Sequence, residues 1–138
     1  MKANSNDRQV KIGDVYYVEF QGTDSEQKGI RPAVVFQNNV GNEHSPNVVI
    51  LPLTSSLKKR NQPTHVVIPA SVGLKCDSMV LCENPKTISK HKLGKYITTL
   101  TGEYMEQIAV ANIMSSAAIS FIHPEMLMAV WESASKLN

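Results

Sequence analysis

Polar and apolar residues alternate near the start of the chain, with Tyr16, Val18 and Phe20 on one side and Tyr17 and Glu19 on the other. A period of two is that of a half-buried strand, so Gly13–Phe20 is predicted as the first strand. The run Ala33–Phe36 is instead continuously apolar and partly β-branched, as in a strand covered on both faces, and strand two is predicted over Arg31–Asn38. Asn39–Pro46 is turn material, and Asn47–Thr54 repeats the apolar pattern as strand three. Thr64–Ile68, Ser78–Glu83 and Tyr96–Leu100 complete six strands, with a helical turn at Ser89–Leu93. The period then lengthens. A helix capped by Thr101 or Gly102 is predicted to about Phe121, with Glu103 and Glu106 in its first turn, where a carboxylate favours the helix dipole. It is apolar nearly all round from Ile108 to Ile119 and so needs cover on more than one side, by its own barrel and by a last helix or a second subunit. That last helix takes Pro124 into its first turn and sets Met126, Leu127, Val130, Trp131 and Ala134 on one stripe, with Trp131 expected to pack it. The whole reads as one domain over residues 1–138, mainly β with C-terminal helices, a small and strongly bent antiparallel barrel. Residues 1–10 read as a flexible leader and residues 123–138 as a helical extension.

Composition changes this picture little. A chain of 138 residues, 42% hydrophobic and 19% charged, builds an ordinary soluble core. The net charge of +2 identifies no partner, but its distribution is uneven. Residues 54–95 carry Lys58, Lys59, Arg60, Lys75, Lys86, Lys90, Lys92 and Lys95 against Asp77 and Glu83, whereas residues 96–138 carry four glutamates against Lys136. The first region is positive enough to meet nucleic acid, or is simply a solvated face. Cys76 and Cys82 lack a second pair at metal spacing, which argues against zinc and fits reduced thiols in a cytoplasmic protein. There is neither an apolar signal core at the N-terminus nor an apolar run of membrane-spanning length.

The candidate chemistry centres on Arg31. Gly29 frees the backbone before it, and Pro32 pushes it into an extended conformation at a strand entrance. A guanidinium fixed there suits a phosphate or carboxylate, though a strand-capping arginine in water would look the same. If strands two and three are antiparallel neighbours, Thr54 at the end of one lies beside Arg31 at the start of the other. Together they make a phosphate site, and Glu26 in the preceding loop is a candidate base. His65 is expected to be a packed turn residue and His91 a surface one.

At this point the chain resembles the MazF/PemK family of toxin endoribonucleases. The resemblance runs from about Lys11 to Ile119 through Ile12-Gly13-Asp14-Val15-Tyr16, Ser25-Glu26-Gln27, Arg31-Pro32-Ala33-Val34-Val35 and Gln37-Asn38. It continues in family order through Gly41-Asn42, Ser45-Pro46, Pro52-Leu53-Thr54, Pro63-Thr64-His65-Val66, Gly73-Leu74, Asp77-Ser78 and Lys86-Thr87-Ile88. It implies an SH3-like barrel that forms a homodimer and needs no cofactor or metal. It further implies a toxin that cleaves single-stranded RNA at short sequences, leaving a 2′,3′-cyclic phosphate and a 5′-hydroxyl, and that a cognate antitoxin inhibits by occupying the RNA groove.

The family's catalytic arginine and threonine fall on Arg31 and Thr54, with Glu26 as the expected base. The RNA-contacting set expected from the resemblance and from the basic loop is Ser25, Gln27, Gln37, Ser55, Lys58, Lys59, Glu83, Asn84 and Lys86. Two departures matter. Lys86 replaces a frequent arginine, and Asn84 replaces a glutamine, so the preferred RNA sequence does not carry over. Two other readings stand beside this one: a same-fold toxin that poisons gyrase through a C-terminal helix, and a catalytically silent SH3-like module.

Overall fold

The computed structural model describes residues 8–22 and 28–138. Seven strands run through them: β1 (Asp14–Gln21), β2 (Lys28–Val35), β3 (Asn47–Thr54), β4 (His65–Ile68), β5 (Ser78–Leu81), β6 (Lys86–Ser89) and β7 (Tyr96–Thr99). The order is β4-β5-β3-β2-β1-β7, with every pair antiparallel. Strand β3 has β2 on one side; on its other side it pairs first with β6 (Asn47 to Ile50) and then with β5 (Leu53 and Thr54). Changing partners along one strand bends the sheet into a half-barrel. Its two ends meet without a ladder, where the Thr98 hydroxyl on β7 donates to the Val72 carbonyl in the short 3-10 turn after β4 (2.7 Å).

The continuous apolar runs are explained by burial on both faces. Inside the curve Val15, Val34, Leu51, Leu53, Val66, Ile68 and Val80 pack with Ile108 and Ala111 of α2 (Glu103–Ser115). The alternate residues Tyr16, Val18, Phe20, Ala33, Val35, Val48, Ile50 and Ile88 form a second cluster on the outer face.

Several expectations are corrected. The stretch after β2 is a short helix, α1 (Asn39–His44), because the Asn38 side chain accepts from the Gly41 N–H and starts a turn. Lys86–Ser89 is a strand that the sequence reading misses; with Ile88 as its only buried position, it shows no pattern of its own. The long helix stops at Ser115, because Ser116 is extended and its hydroxyl accepts from the Ala118 N–H, opening a separate 3-10 turn. In α3 (Leu127–Ser135) no residue is buried, and Trp131 is 65% exposed rather than packed. Part of the leader is engaged as well: Arg8 pairs with Asp14, and Val10 packs on the outer cluster.

Candidate active site

Antiparallel pairing decides where the predicted residues fall. Arg31 pairs with Val18 on β1, and Ala33 pairs with both Tyr16 on β1 and Pro52 on β3. Arg31 lies two residues before Ala33 and Thr54 two residues after Pro52. The pleat therefore puts both side chains on the outer face, at the same end of the sheet. Lys86 joins them. It pairs with Ile50, shares that face, and carries its ammonium 5.9 Å from the centre of the Phe20 ring.

Local sequence sets this geometry. Gly29, the second residue of β2 and opposite Phe20, takes a φ of 86°, a left-handed conformation that a side chain would strain. The Arg31 Nε donates to the Lys28 carbonyl at 2.8 Å, which orients the guanidinium, and no carboxylate among the described residues pairs with it. The Thr54 oxygen accepts from the Ser56 N–H at 3.2 Å, and no described residue takes its hydroxyl hydrogen. Both side chains are half-buried. An oriented cation and an oriented hydroxyl, both with donors that no described residue takes, suit an anionic oxygen.

Ser55, Lys58 and Lys59 lie exposed in the loop that follows Thr54. Asn84 is exposed in the turn after β5, its N–H bonded to the Leu81 carbonyl. Glu83 turns elsewhere, to His65. Gln37 is separated from the rest. It lies past the far end of β2, about 20 Å along the chain from Arg31 by strand rise, and its amide donates to Asn42 and to the Asn47 carbonyl. Through these two bonds Gln37 holds α1 against β3. Ser25, Glu26 and Gln27 lie between the paired residues Gln21 and Lys28, outside the described residues.

The sequence reading passes over one arrangement. His65 Nδ1 contacts the Lys59 carbonyl at 2.7 Å and Nε2 contacts Glu83 Oε2 at 2.9 Å, with the imidazole only 5% exposed. The signal available was a histidine two residues after the proline that ends a basic loop. Two hollows flank α2. One of about 410 Å³ is lined by His65, Val66 and Glu106, among others; the second, of about 510 Å³, by Phe36, Glu83 and Asn112, among others. Neither includes Arg31 or Thr54. Among the described residues no group of three His, Cys, Asp or Glu side chains is placed to hold a metal ion, and no helix is long and apolar enough to cross a membrane.

The family model for the PemK-like, MazF-like toxin of type II toxin-antitoxin systems matches residues 11–113. Endoribonuclease EndoA of Bacillus subtilis is 40% identical over 114 residues, spanning 81% of this chain and 98% of EndoA. Endoribonuclease MazF of Staphylococcus saprophyticus is 39% identical over 101 residues, spanning 72% of this chain and 84% of its own. A mycobacterial endoribonuclease solved in complex with its cognate antitoxin superposes with a TM-score of 0.65 at 28% identity, over 83% of this chain and 99% of that one. MazF from Deinococcus radiodurans, at 19% identity and a TM-score of 0.67 over 84% of this chain and all of its own, shares the fold.

Proposed function

The chain belongs to the PemK/MazF family of type II toxin-antitoxin toxins, and from that premise we propose that it is a sequence-specific endoribonuclease acting on single-stranded RNA in the cytoplasm. The observation that carries this reading is the placement of Arg31 and Thr54 on one face and one end of the sheet, each with donors that no described residue takes. RNA brings its own nucleophile. The ribose 2′-oxygen attacks the adjacent phosphorus, the O2′–P bond forms, the P–O5′ bond breaks, and a 2′,3′-cyclic phosphate and a 5′-hydroxyl result. The protein then has to take a proton from the 2′-hydroxyl, return one to the departing 5′-oxygen and stabilise the charge between. Arg31 is the charge stabiliser, because a guanidinium is too weak an acid to serve as the proton source. Thr54 is the second donor. Glu26 is assigned as the base on chain position alone. Lys86, Lys58 and Lys59 contact the flanking phosphates, with Ser25, Gln27, Ser55 and Asn84 alongside.

Two partners follow from this reading. An antitoxin segment occupies the same rim and blocks the RNA. A second copy of the chain covers the outer side of α2, where Val110, Ile113 and Met114 are exposed. The test is cleavage of single-stranded RNA in EDTA, with the products separated and their ends identified. The expected result is metal-free cutting to cyclic phosphate and 5′-hydroxyl ends, abolished by one 2′-deoxy substitution at the scissile position. Intact RNA at high enzyme concentration would end the proposal, and inhibition of gyrase supercoiling in the same preparation would favour the gyrase-poisoning alternative.

A further inference from the structure

The segment joining Thr54 to β4 carries Lys58, Lys59 and Arg60 in tandem, all exposed. A run of like charges repels itself and offers no apolar surface for packing, so composition alone leaves it loose. Backbone bonds hold it instead. The Arg60 N–H donates to the Leu57 carbonyl (3.3 Å), the Gln62 N–H to the Lys59 carbonyl (3.2 Å) and the His65 N–H to the Gln62 carbonyl (3.0 Å). The shortest contact in the set is made by a side chain, His65 Nδ1 to the Lys59 carbonyl at 2.7 Å. A carbonyl and a carboxylate both only accept, so both ring nitrogens donate, Nδ1 to the Lys59 carbonyl and Nε2 to the Glu83 carboxylate at 2.9 Å, and together they fix the ring plane.

The core does not need this ring. Strand β4 is already held by four paired positions on β5 and by the buried Val66 and Ile68. Both imidazole contacts go outward, one to the loop and one to the turn after β5. We propose that His65, braced by Glu83, is a positioning residue that fixes the Lys59 carbonyl and so holds the Lys58–Arg60 loop beside Thr54, where its charges meet RNA phosphates. The proposal rests on the nuclease reading above and extends it to a residue that does not touch the substrate.

Trypsin cuts after Lys58, Lys59 and Arg60, so limited proteolysis of the full chain, with cut sites mapped by mass spectrometry, reads the loop directly. His65→Ala is expected to speed cutting at these three bonds about tenfold without new cuts elsewhere. His65→Asn keeps an N–H donor near the Nδ1 position and is expected to stay close to wild type, while Glu83→Ala falls between. RNA binding is read separately from cleavage, by the affinity for a fluorescein-labelled, mixed-sequence 2′-O-methyl RNA that cannot react.

Here His65→Ala is expected to weaken binding about tenfold at low salt. It should also lower the slope of log affinity against log salt by about 0.7 for each phosphate that the loop no longer neutralises, with partial rescue by His65→Asn. An unchanged trypsin rate in His65→Ala overturns the proposal. So does a faster rate with affinity and salt slope unmoved. Should His65→Ala fail to fold, Glu83→Ala and His65→Asn make the same comparison. If the wild type cuts no RNA yet these shifts are seen, the nuclease reading fails while the loop's placement for RNA stands.

Discussion

Two arginines sit at opposite ends of the same curved sheet, and their surroundings differ in kind. Arg8 gives Nε and Nη2 to the two carboxylate oxygens of Asp14, at 3.2 and 3.0 Å, and its guanidinium lies 4.0 Å over the Tyr96 ring. Asp14 is fully buried and also accepts from the Lys11 N–H, the Tyr16 hydroxyl and the Thr99 hydroxyl. Its hydrogen bonds hold the Arg8 pKa above the ordinary arginine value, and burial, then the Asp14 charge, pushes the Tyr16 hydroxyl above its own. Among the described residues Arg31 has the Lys28 carbonyl, on Nε, and no carboxylate. One guanidinium is neutralised by a buried carboxylate; the other is oriented by a carbonyl and meets no carboxylate among the described residues. A formal charge therefore says little about function until its counter-ion is found.

The largest effects should separate the two ends cleanly. Arg31→Ala is expected to cost about 2.7–4 kcal/mol of transition-state stabilisation, a drop of about a hundred- to a thousandfold in RNA cleavage, with the melting curve unchanged. Asp14→Ala should do the reverse and destabilise the fold by about 3 kcal/mol. That is the low end for a broken buried ion pair, because the Arg8 side chain is 40% exposed and can turn to water. Urea unfolding and a cleavage assay on both variants make the check. A large stability loss in the Arg31 variant would mean that this arginine, too, belongs to the framework.

The next comparison lies within one stretch of chain. Gln37 follows β2 at the end away from Arg31, and its amide bridges Asn42 and the Asn47 carbonyl. Gln37→Ala should lose about 1 kcal/mol of stability, the typical net value of a hydrogen bond, and leave RNA cleavage within about twofold of wild type. A hundredfold loss of cleavage would put the far end of the sheet back in the site.

How far the sequence could be read follows the same divide. Strand β3 came out residue for residue at Asn47–Thr54, because an apolar run buried on both faces announces itself. The neighbourhood of Arg31 and Thr54 was legible because it depends only on adjacent antiparallel strands. What escaped depended on side-chain hydrogen bonds that leave no periodic trace: α1, started by Asn38; the stop at Ser116; and the His65 contacts. The position of Gln37 past the far end of β2 was not legible, because a match along a motif carries no information about which end of the sheet a residue occupies. The apolar stripe of α3 was legible as a pattern, but its cover was not, since a stripe does not say whether its partner belongs to the same chain.

The smallest predicted effect tests the same contrast between closed and open groups on the two thiols. Cys82 is buried, and its thiol is pushed up from 9.0 to about 12, first by burial and then by the charge of Glu83, whereas Cys76 is exposed. At pH 8 iodoacetamide should therefore label Cys76 alone in the folded protein and both thiols in urea, as peptide mapping will read. The sign of the pH effect follows from the same shift. Between pH 9 and about 12 the folded state keeps a proton that the unfolded state has lost, so the contribution is complete below pH 9 and fades as pH rises toward 12. Cys82→Ser should make the alkaline side of the stability curve slightly flatter. Equal labelling of both thiols without urea would mean that the sheet opens beside Glu83 far more readily than its packing implies.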